Sequence, residues 1–331
     1  MGKARKHGLN NSITDISGIQ IGNYTDEKAR SGVTVVMPHE RSVAGVDVRG
    51  GAPGTRETDL LNPVNLVQKV DAIVLSGGSA FGLSTCDGVM KYLEEKGKGY
   101  TAKEDIRVPI VPAAIIFDLY RGEVHERAQA SWGYEACINL GGECPNGNIG
   151  VGSGAVAGNI KGGLGTASEV LSNGVTVGAV VAVNSAGYVA DPKYGGLYAR
   201  YLELESEFAA IPELPCHGNY YSPLSARLGE KTVIAVVATD VILDKTECTK
   251  VAQMAQDGLA RAIQPSHTLF DGDTVFSLST GEKHVDNKRG SLVSLVGSSA
   301  SDVLSRAIIH AVLAAESTKD VNCYREMFKA F

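Results

Sequence analysis

Thr232 stands at the head of a short apolar run, residues 232–240, whose sequence TVIAVVATD is typical of a buried strand. If the bond between Lys231 and Thr232 were cut, the Thr232 hydroxyl would be a nucleophile with its own freed amine beside it as the base. An α-amino group titrates near ~8, so it can act as a base at neutral pH, where a lysine side chain at ~10.4 could not. By itself the run fits an ordinary strand threonine better, so the surrounding pattern has to decide.

Two carboxylates, Asp271 and Asp273, lie on a turn before another strand in the sequence DGDT. An EF-hand loop would need oxygen ligands at further alternate positions, and Val275 occupies one of them. The pair is therefore either a plain turn or a pair of acids that holds a substrate amine or tunes a neighbouring base. The seven histidines are scattered without an HExxH pair, and His310 on an apolar helix fits a satisfied core residue, so no metal is expected.

Two further patterns fail as cofactor or nucleophile motifs. The segment from Gly152 through Gly154 to Ala157 loosely matches a dinucleotide fingerprint, but turn-forming residues 143–146 precede it where a strand is required. A nucleophile elbow at Ser79 would need glycine two residues on either side, and Phe81 occupies the second position. Ser79 is instead predicted to cap the following helix. No cofactor is expected.

Composition limits the class of protein. The chain has 331 residues, 44% hydrophobic residues and a net charge of −6 with both signs scattered, which predicts a globular protein with one large core or two domains. No basic stripe for nucleic acid is present, and the longest apolar stretches are interrupted by Gly, Asn or charge before they reach membrane-spanning length. We expect no secretory signal, because no apolar region follows the basic N-terminal residues. We expect neither nucleic acid nor membrane as a partner, a cytoplasmic location, and six cysteines present as free thiols, although their even number leaves disulfides open.

The order of elements favours a layered α/β fold with paired sheets over a strictly alternating Rossmann fold. A strand pair is predicted at 32–37 and 42–48, and residues 194–230 are the best candidate for a linker. The other predicted elements are strands at 71–76, 175–184, 232–240 and 273–280, an apolar β-branched stretch at 107–117, and helices at 81–96, 126–140, 245–262 and 299–317.

Several segments in order resemble the self-processing aminopeptidase family of the DmpA type, which includes L-aminopeptidase D-esterase/amidase and the β-peptidyl aminopeptidases. The segments are 11–22, 32–35, 161–168, 177–184 and 232–240, followed by the Asp271 turn. The resemblance implies a four-layer α-β-β-α sandwich forming a single domain, 1–331. It also implies cleavage into a large fragment, 1–231, and a small fragment, 232–331, which stay together and assemble as a homo-oligomer, a tetramer in the family.

The resemblance also implies roles for individual residues. Thr232 matches the nucleophile, so Lys231–Thr232 would be the self-cleavage site, and Asn184 matches the side chain that stabilises the oxyanion. Asp271 and Asp273 fall at or near the family's Ser-x-Glu pair. Phe117 and Asp118 fall in the substrate-binding region, and the substrates would be small peptides, amino-acid amides or esters.

The chain departs from the family pattern at three places. Lys231 stands where Gly or Asn usually precedes the cut, and Asp271 replaces a serine. Residues 111–118, VPAAIIFD, stand where characterised members carry a segment like Glu-Thr-Tyr-Asp, so the amine-anchoring Glu and the Tyr have no match. Two alternatives to a hydrolase therefore stay open: a related acyl transferase, and an unprocessed binding protein of the same fold.

Overall fold

The computed structural model describes residues 5–209, 211, 231–285 and 288–328. The strands in these residues are β1 Ile19–Asp26, β2 Ser31–Pro38, β3 Ser42–Val48, β4 Thr55–Arg56, β5 Lys69–Val70, β6 Ile73–Ser76, β7 Tyr100–Lys103, β8 Ile106–Val108, β9 Ala113–Ile115, β10 Val156–Ala157, β11 Ile160–Lys161, β12 Leu164–Val170, β13 Thr176–Asn184, β14 Thr232–Val241 and β15 Thr274–Lys283. The α-helices are α1 Thr85–Glu95, α2 Ala130–Ile138, α3 Lys245–Ala262, α4 Arg289–Ala314 and α5 Tyr324–Met327. Short 3-10 helices cover Ile13–Asp15, Asp59–Leu61, Ser79–Ser84, Gly150–Gly152 and Arg200–Leu202.

Two sheets form the centre of the molecule. One has five strands in the order β1-β2-β6-β9-β4, and the other has six in the order β12-β13-β14-β15-β3-β5. In the six-stranded sheet β13 and β14 are antiparallel, whereas β14 and β15 are parallel. This arrangement brings the end of β13 and the beginnings of β14 and β15 to one edge of the sheet.

The apolar residues fall into three buried clusters that separate four layers. One cluster, which includes Val36 and Leu75 from one sheet and Val180 and Phe276 from the other, fills the space between the sheets. A second joins the outer face of the five-stranded sheet to α1 and α2, and a third joins the outer face of the six-stranded sheet to α3 and α4. Both faces of β14 are thus covered, which is why every residue of the strand is buried. The predicted α-β-β-α sandwich is confirmed.

Helix α3 shows how closely local signals set some boundaries. Its N-cap Asp244 accepts a hydrogen bond from the Glu247 N–H, and the Glu247 side chain accepts one from the Asp244 N–H. Cys248, Val251, Ala255 and Leu259 recur at helical spacing and are buried. The observed bounds, Lys245–Ala262, are those predicted.

Other local predictions are wrong. β2 and β3 do not pair: β2 lies between β1 and β6, whereas β3 pairs with β15 and β5 in the other sheet. The short connection between them therefore crosses from one sheet to the other. Ser79 does not cap a helix; its backbone is left-handed, with φ of +53°, and its N–H donates to the Ile116 carbonyl.

Helix α4 differs from the sequence prediction in its length. It starts ten residues before its predicted start and, contrary to the expectation that no apolar stretch is long enough, it has the length and composition to cross a membrane. However, 72% of its most apolar window is buried inside the protein. It is therefore packed as a core helix.

Most of the predicted linker lies outside the described residues; the part that is described, 194–209 and 211, consists of turns and the short helix Arg200–Leu202.

Candidate active site

Three strand ends bring the predicted catalytic residues together. Thr232 is the first residue of β14 and lies opposite Asn184, the last residue of β13. Lys231 forms a parallel bridge with Asp271, just before β15 begins. The turn that carries Asp271 and Asp273 therefore lies directly beside the Lys231–Thr232 bond, as the parallel pairing of β14 and β15 requires.

The Lys231–Thr232 peptide bond is held against a hydroxyl and a backbone donor. The Thr232 hydroxyl hydrogen bonds to the carbonyl oxygen of Lys231, and the Gly272 N–H donates to that same oxygen over 3.0 Å. The Gly272 nitrogen is also 3.2 Å from Thr232 Oγ1. Thr232 is only 2% exposed. A side-chain hydroxyl and a backbone N–H donor thus meet at one carbonyl oxygen.

Asp273 and Asp271 are both buried, and each is held by several donors. Asp273 Oδ1 accepts from the Val233 N–H over 2.8 Å, and Oδ2 accepts from the His267 N–H over 3.1 Å and lies 2.8 Å from His267 Nδ1. Asp271 Oδ1 accepts from the Ala186 N–H over 3.1 Å, and Oδ2 accepts from the Thr268 N–H and hydroxyl over 2.9 and 2.6 Å. The carboxylates are thereby fixed in place beside Thr232.

Asp271 and Asp273, called the acid pair below, lie close enough for the charge of one to change the pKa of the other. Burial raises the pKa of Asp271, and the neighbouring charge of Asp273 raises it further. Two like charges this close disfavour the doubly ionised state. Asp271 therefore holds its proton more tightly than an isolated aspartic acid does.

Asn184 is completely buried and ties two segments to the end of β13. Its Nδ2 donates to the Phe117 carbonyl over 3.2 Å, and its Oδ1 accepts from the Val156 N–H over 3.0 Å. These bonds fix the amide across the ladder from Thr232. Its role toward an oxyanion stays a prediction.

Phe117 and Asp118 follow β9 and differ in accessibility. The Phe117 ring is half-buried and packs against Tyr120 with ring centroids 5.5 Å apart. Asp118 has no exposed surface, and its carboxylate accepts from the Gly78 N–H over 2.6 Å and the Ser31 hydroxyl over 2.7 Å. Burial raises the pKa of Asp118 to about 6. Its carboxylate is engaged inside the protein, and a substrate-binding role for either residue stays a prediction.

The glycine-rich segment that resembles a dinucleotide fingerprint packs against the site. A Cβ at Gly154 would lie 2.5 Å from Asp118 Oδ2, and one at Gly152 would lie 2.1 Å from the Leu164 backbone nitrogen. The same segment leads to Val156, which bonds Asn184 and whose carbonyl lies 3.4 Å from Lys231 Nζ. Close backbone approach therefore explains these glycines.

Sequence analysis missed Lys161, which lies in one of the family-like segments. It is 1% exposed and donates to the carbonyls of Gly152, Ala155 and Gly162 over 2.9 to 3.0 Å. Burial, together with the charges of Arg121 and Arg30, lowers the pKa of Lys161 to about 7. The signal available in the sequence was a lysine followed by paired glycines at the start of the family-like segment 161–168.

Sequence analysis also missed His267, Thr268 and the Gly272 N–H. His267 and Thr268 act on the acid pair from outside the strands, and Gly272 acts through its backbone, which no side-chain pattern reports. Among the described residues, no three His, Cys, Asp or Glu side chains form a group that could hold a metal ion.

Comparison with known proteins identifies the family. The model of peptidase family S58 matches residues 11–325, so the chain belongs to this family of peptidases. An uncharacterized aminopeptidase of Mycobacterium bovis is 46% identical over 96% of this chain and 98% of its own length. A 6-aminohexanoate-oligomer endohydrolase of Kocuria is 28% identical over 90% of this chain and 84% of its own length.

A solved structure supports the fold independently. The L-aminopeptidase D-Ala-esterase/amidase of Ochrobactrum anthropi, described as a variant of the Ntn-hydrolase fold, superposes with a TM-score of 0.71. It is 20% identical, and the match covers 96% of this chain and 90% of that one. The four layers described above therefore have the same fold as that structure. Membership of a peptidase family makes the chain a hydrolase.

Proposed function

We propose that this protein is a self-processing aminopeptidase or amidohydrolase that cuts its own Lys231–Thr232 bond and then uses Thr232 as the nucleophile. Its substrates would be small peptides, amino-acid amides or esters, from which it releases N-terminal amino acids. The observation that carries the proposal is the Thr232 hydroxyl on the carbonyl oxygen of its own peptide bond, with the Gly272 N–H on the same oxygen. The names of the aminopeptidase and 6-aminohexanoate-oligomer endohydrolase relatives support it.

Self-cleavage begins when Thr232 Oγ1 attacks the carbonyl carbon of Lys231. Negative charge develops on the Lys231 oxygen, where the Gly272 N–H already lies. The C–N bond then breaks, the nitrogen takes the hydroxyl proton, and Lys231 is left as an ester on Thr232. Water hydrolyses this ester, which releases the Lys231 carboxylate and restores the hydroxyl beside a free Thr232 amine.

Turnover repeats the same chemistry on a substrate. The Thr232 amine takes the hydroxyl proton as Oγ1 attacks the substrate carbonyl, and the acyl-enzyme that forms is hydrolysed by water. Asp273, bonded to the adjacent Val233 N–H, is close to the new amine and would orient it. Asn184, across the ladder from Thr232, is the proposed donor to the substrate oxyanion.

The intact mass of freshly purified protein under denaturing conditions tests the first step. We expect two masses, for residues 1–231 and 232–331, and a single full-length mass for Thr232→Ala. Thr232→Ser, which keeps a hydroxyl, is the matched control and should still be cut. Release of free amino acid from an amino-acid amide should fall by about 10⁴-fold or more in Thr232→Ala.

Three outcomes would change the conclusion. A Thr232→Ala chain that is still cut at residue 232 would remove Thr232 from the nucleophile role. A wild-type chain that stays whole after long incubation, with normal stability, would favour the binding-protein alternative. Transfer of the acyl group to an added amine in place of water would favour the acyl transferase.

A cytoplasmic location and assembly as a homo-oligomer, tetrameric in the family, stay predictions. Light scattering on the processed protein tests the predicted assembly.

A further inference from the structure

The dipeptide His267–Thr268 contacts both acids of the pair, one residue to each. His267 contacts Asp273 through its backbone N–H and ring Nδ1, and Thr268 contacts Asp271 through its N–H and hydroxyl. Consecutive Cα atoms are fixed about 3.8 Å apart. The dipeptide, called the clamp below, therefore fixes the spacing of the two carboxylates.

Gly272 lies between the two clamped acids. Its N–H is the group on the Lys231 carbonyl oxygen and near Thr232 Oγ1. A residue flanked on both sides by fixed side chains has little freedom to move. The clamp thus reaches the scissile bond through the backbone of the turn, although neither of its residues belongs to a strand.

His267 adopts a backbone conformation that favours glycine. Its φ is +56°, in the left-handed region, where most side chains are strained and His, Asn and Asp are the more frequent exceptions. Of those three, only His and Asn carry a side-chain N–H. A histidine here can point both its backbone N–H and its ring at one carboxylate oxygen, which a glycine could not do.

The ring nitrogens show which tautomer fits. Asp273 Oδ2 is an acceptor 2.8 Å from Nδ1, so Nδ1 carries the hydrogen. His267 Nε2 is buried without a hydrogen-bond partner in the part of the chain that the structure describes. A neutral ring with hydrogen on Nδ1 leaves only a lone pair at Nε2, so it satisfies the bond to Asp273 without burying an unpaired N–H.

We propose that His267 is a positioning residue that, together with Thr268, holds the Gly272 N–H on the scissile carbonyl and Asp273 beside the Thr232 amine. This inference rests on the proposed function of Thr232. It adds that catalytic competence depends on a side-chain N–H at position 267, outside the residues that react.

The backbone of the turn has independent support, so variants at position 267 should fold. The loop after β3 donates from the Arg49 N–H to the Asp273 carbonyl over 3.0 Å and from the Ala52 N–H to the Asp271 carbonyl over 2.8 Å. Gly51 N–H donates to the Thr268 carbonyl over 3.2 Å. These bonds do not involve the His267 ring and remain when it is removed.

The test follows the rate of self-cleavage in a time course of cell-free synthesis, by denaturing mass measurement of the 232–331 fragment. His267→Ala should slow cleavage by about 10- to 100-fold, since small displacements of reacting groups cost this much. His267→Asn keeps a donor near the Nδ1 position and tolerates positive φ, so it should recover to within about threefold of wild type. His267→Gly relaxes the backbone but has no donor, and should be as slow as His267→Ala.

Turnover of an amino-acid p-nitroanilide by the processed variants provides a second measurement, in which kcat should fall while KM changes little. Ser206→Ala and Ser206→Gly are matched controls, because Ser206 is exposed and has φ of +62°. Both should cleave at the wild-type rate.

The outcomes separate this inference from the proposed function. If the wild type is cut in a Thr232-dependent manner and His267→Ala is cut equally fast, the proposed positioning role of His267 is wrong. The proposed role of Thr232 as the nucleophile is then unaffected. His267→Asn as slow as His267→Ala, with both folded by circular dichroism, would also overturn the clamp. An uncut wild type overturns both proposals together.

Discussion

Buried carboxylates lie in opposite electrostatic surroundings at two sites of this protein. The acid pair at the active site places Asp271 against Asp273, and among the described residues His267 is the one basic side chain within ion-pair distance of either. The second cluster, called the anchor cluster, consists of Asn11, Glu207, Arg306 and His310. There one carboxylate meets a guanidinium, an imidazole and an amide, with bonds to Glu207 Oε2 of 2.6 to 2.8 Å.

The consequences for the pKa are opposite as well. Burial raises the pKa of Asp271, and its acidic neighbour adds to that effect. Burial would also raise the pKa of Glu207, but hydrogen bonds from His310 and Arg306 outweigh it and hold the pKa well below its usual range. The anchor cluster favours its charged state, whereas the acid pair resists full ionisation. The first arrangement suits stability, and the second suits proton exchange.

The anchor cluster also joins the two fragments that cleavage would create. Asn11 and Glu207 belong to residues 1–231, whereas Arg306 and His310 lie on α4 of residues 232–331. Arg306 further donates to the Ser168 carbonyl over 2.8 Å. Strong charge compensation is therefore located where the proposed fragments would have to stay together, away from the bond that is proposed to be cut.

The largest effect is expected from removing the charge of the anchor cluster. Glu207→Gln keeps the shape but leaves the fully buried Arg306 without its counter-charge, which should cost about 3–5 kcal/mol of the free energy of unfolding. Urea denaturation in the uncut Thr232→Ala background measures this as one chain.

Glu205→Gln is the matched control two residues away. Glu205 is exposed and lies 3.3 Å from His7, so its loss should cost about 1 kcal/mol or less. Equal costs for the two glutamines would contradict the view that the anchor cluster stabilises through buried charge. A Glu207→Leu, Arg306→Met double variant should recover much of the loss, because it removes both charges together.

The next effect concerns pH. Asp118 is buried, and its pKa is raised from 3.8 to about 6, so the folded protein binds this proton more tightly than the unfolded chain does. The stabilisation from that proton is complete below about pH 4 and is lost as pH rises through about 6. Relative to Asp118→Asn, the wild type should gain about 2–3 kcal/mol between pH 7.5 and 4.

Glu207 should show the opposite slope. Its lowered pKa contributes stability above the unfolded value of 4.5, and this contribution is lost as pH falls toward the folded value. Urea titrations of wild type, Asp118→Asn and Glu207→Gln from pH 3 to 7.5 separate the two, because the Asp118 slope lies mainly between pH 4 and 6 and the Glu207 slope lies below about 4.5. A pH-independent difference between wild type and Asp118→Asn would show that Asp118 does not titrate in this range.

Much of this architecture was predictable from sequence because it rests on local patterns. Helix α3 has its own N-cap and apolar spacing, and strand β14 is a continuous apolar run. The predicted site residues Thr232, Asn184, Asp271 and Asp273 do come together. The pairing of β2 was not predictable, since a strand buried on both faces gives no sign of which sheet it joins. Lys161 was not predicted because its hydrogen bonds go to backbone carbonyls. The clamp was not predicted because its two residues lie in a turn outside the strands that carry the predicted site.

The smallest stability effect, paired with a large effect on rate, is expected from Asp271→Asn. This is the same change of acid to amide as Glu207→Gln, but here it removes one of two repelling charges while it weakens the bond from the Thr268 N–H. The two terms oppose each other, so the free energy of unfolding should change by no more than about 1 kcal/mol.

Self-cleavage should nevertheless slow by about tenfold or more, because the turn that carries the Gly272 N–H loses one of its fixed carboxylates. The cell-free time course gives the rate, and urea denaturation in the Thr232→Ala background gives the stability. A loss of several kcal/mol would place Asp271 with Glu207, as an acid retained for stability. Near-normal stability with slow cleavage would show that the same substitution costs folding at one cluster and chemistry at the other.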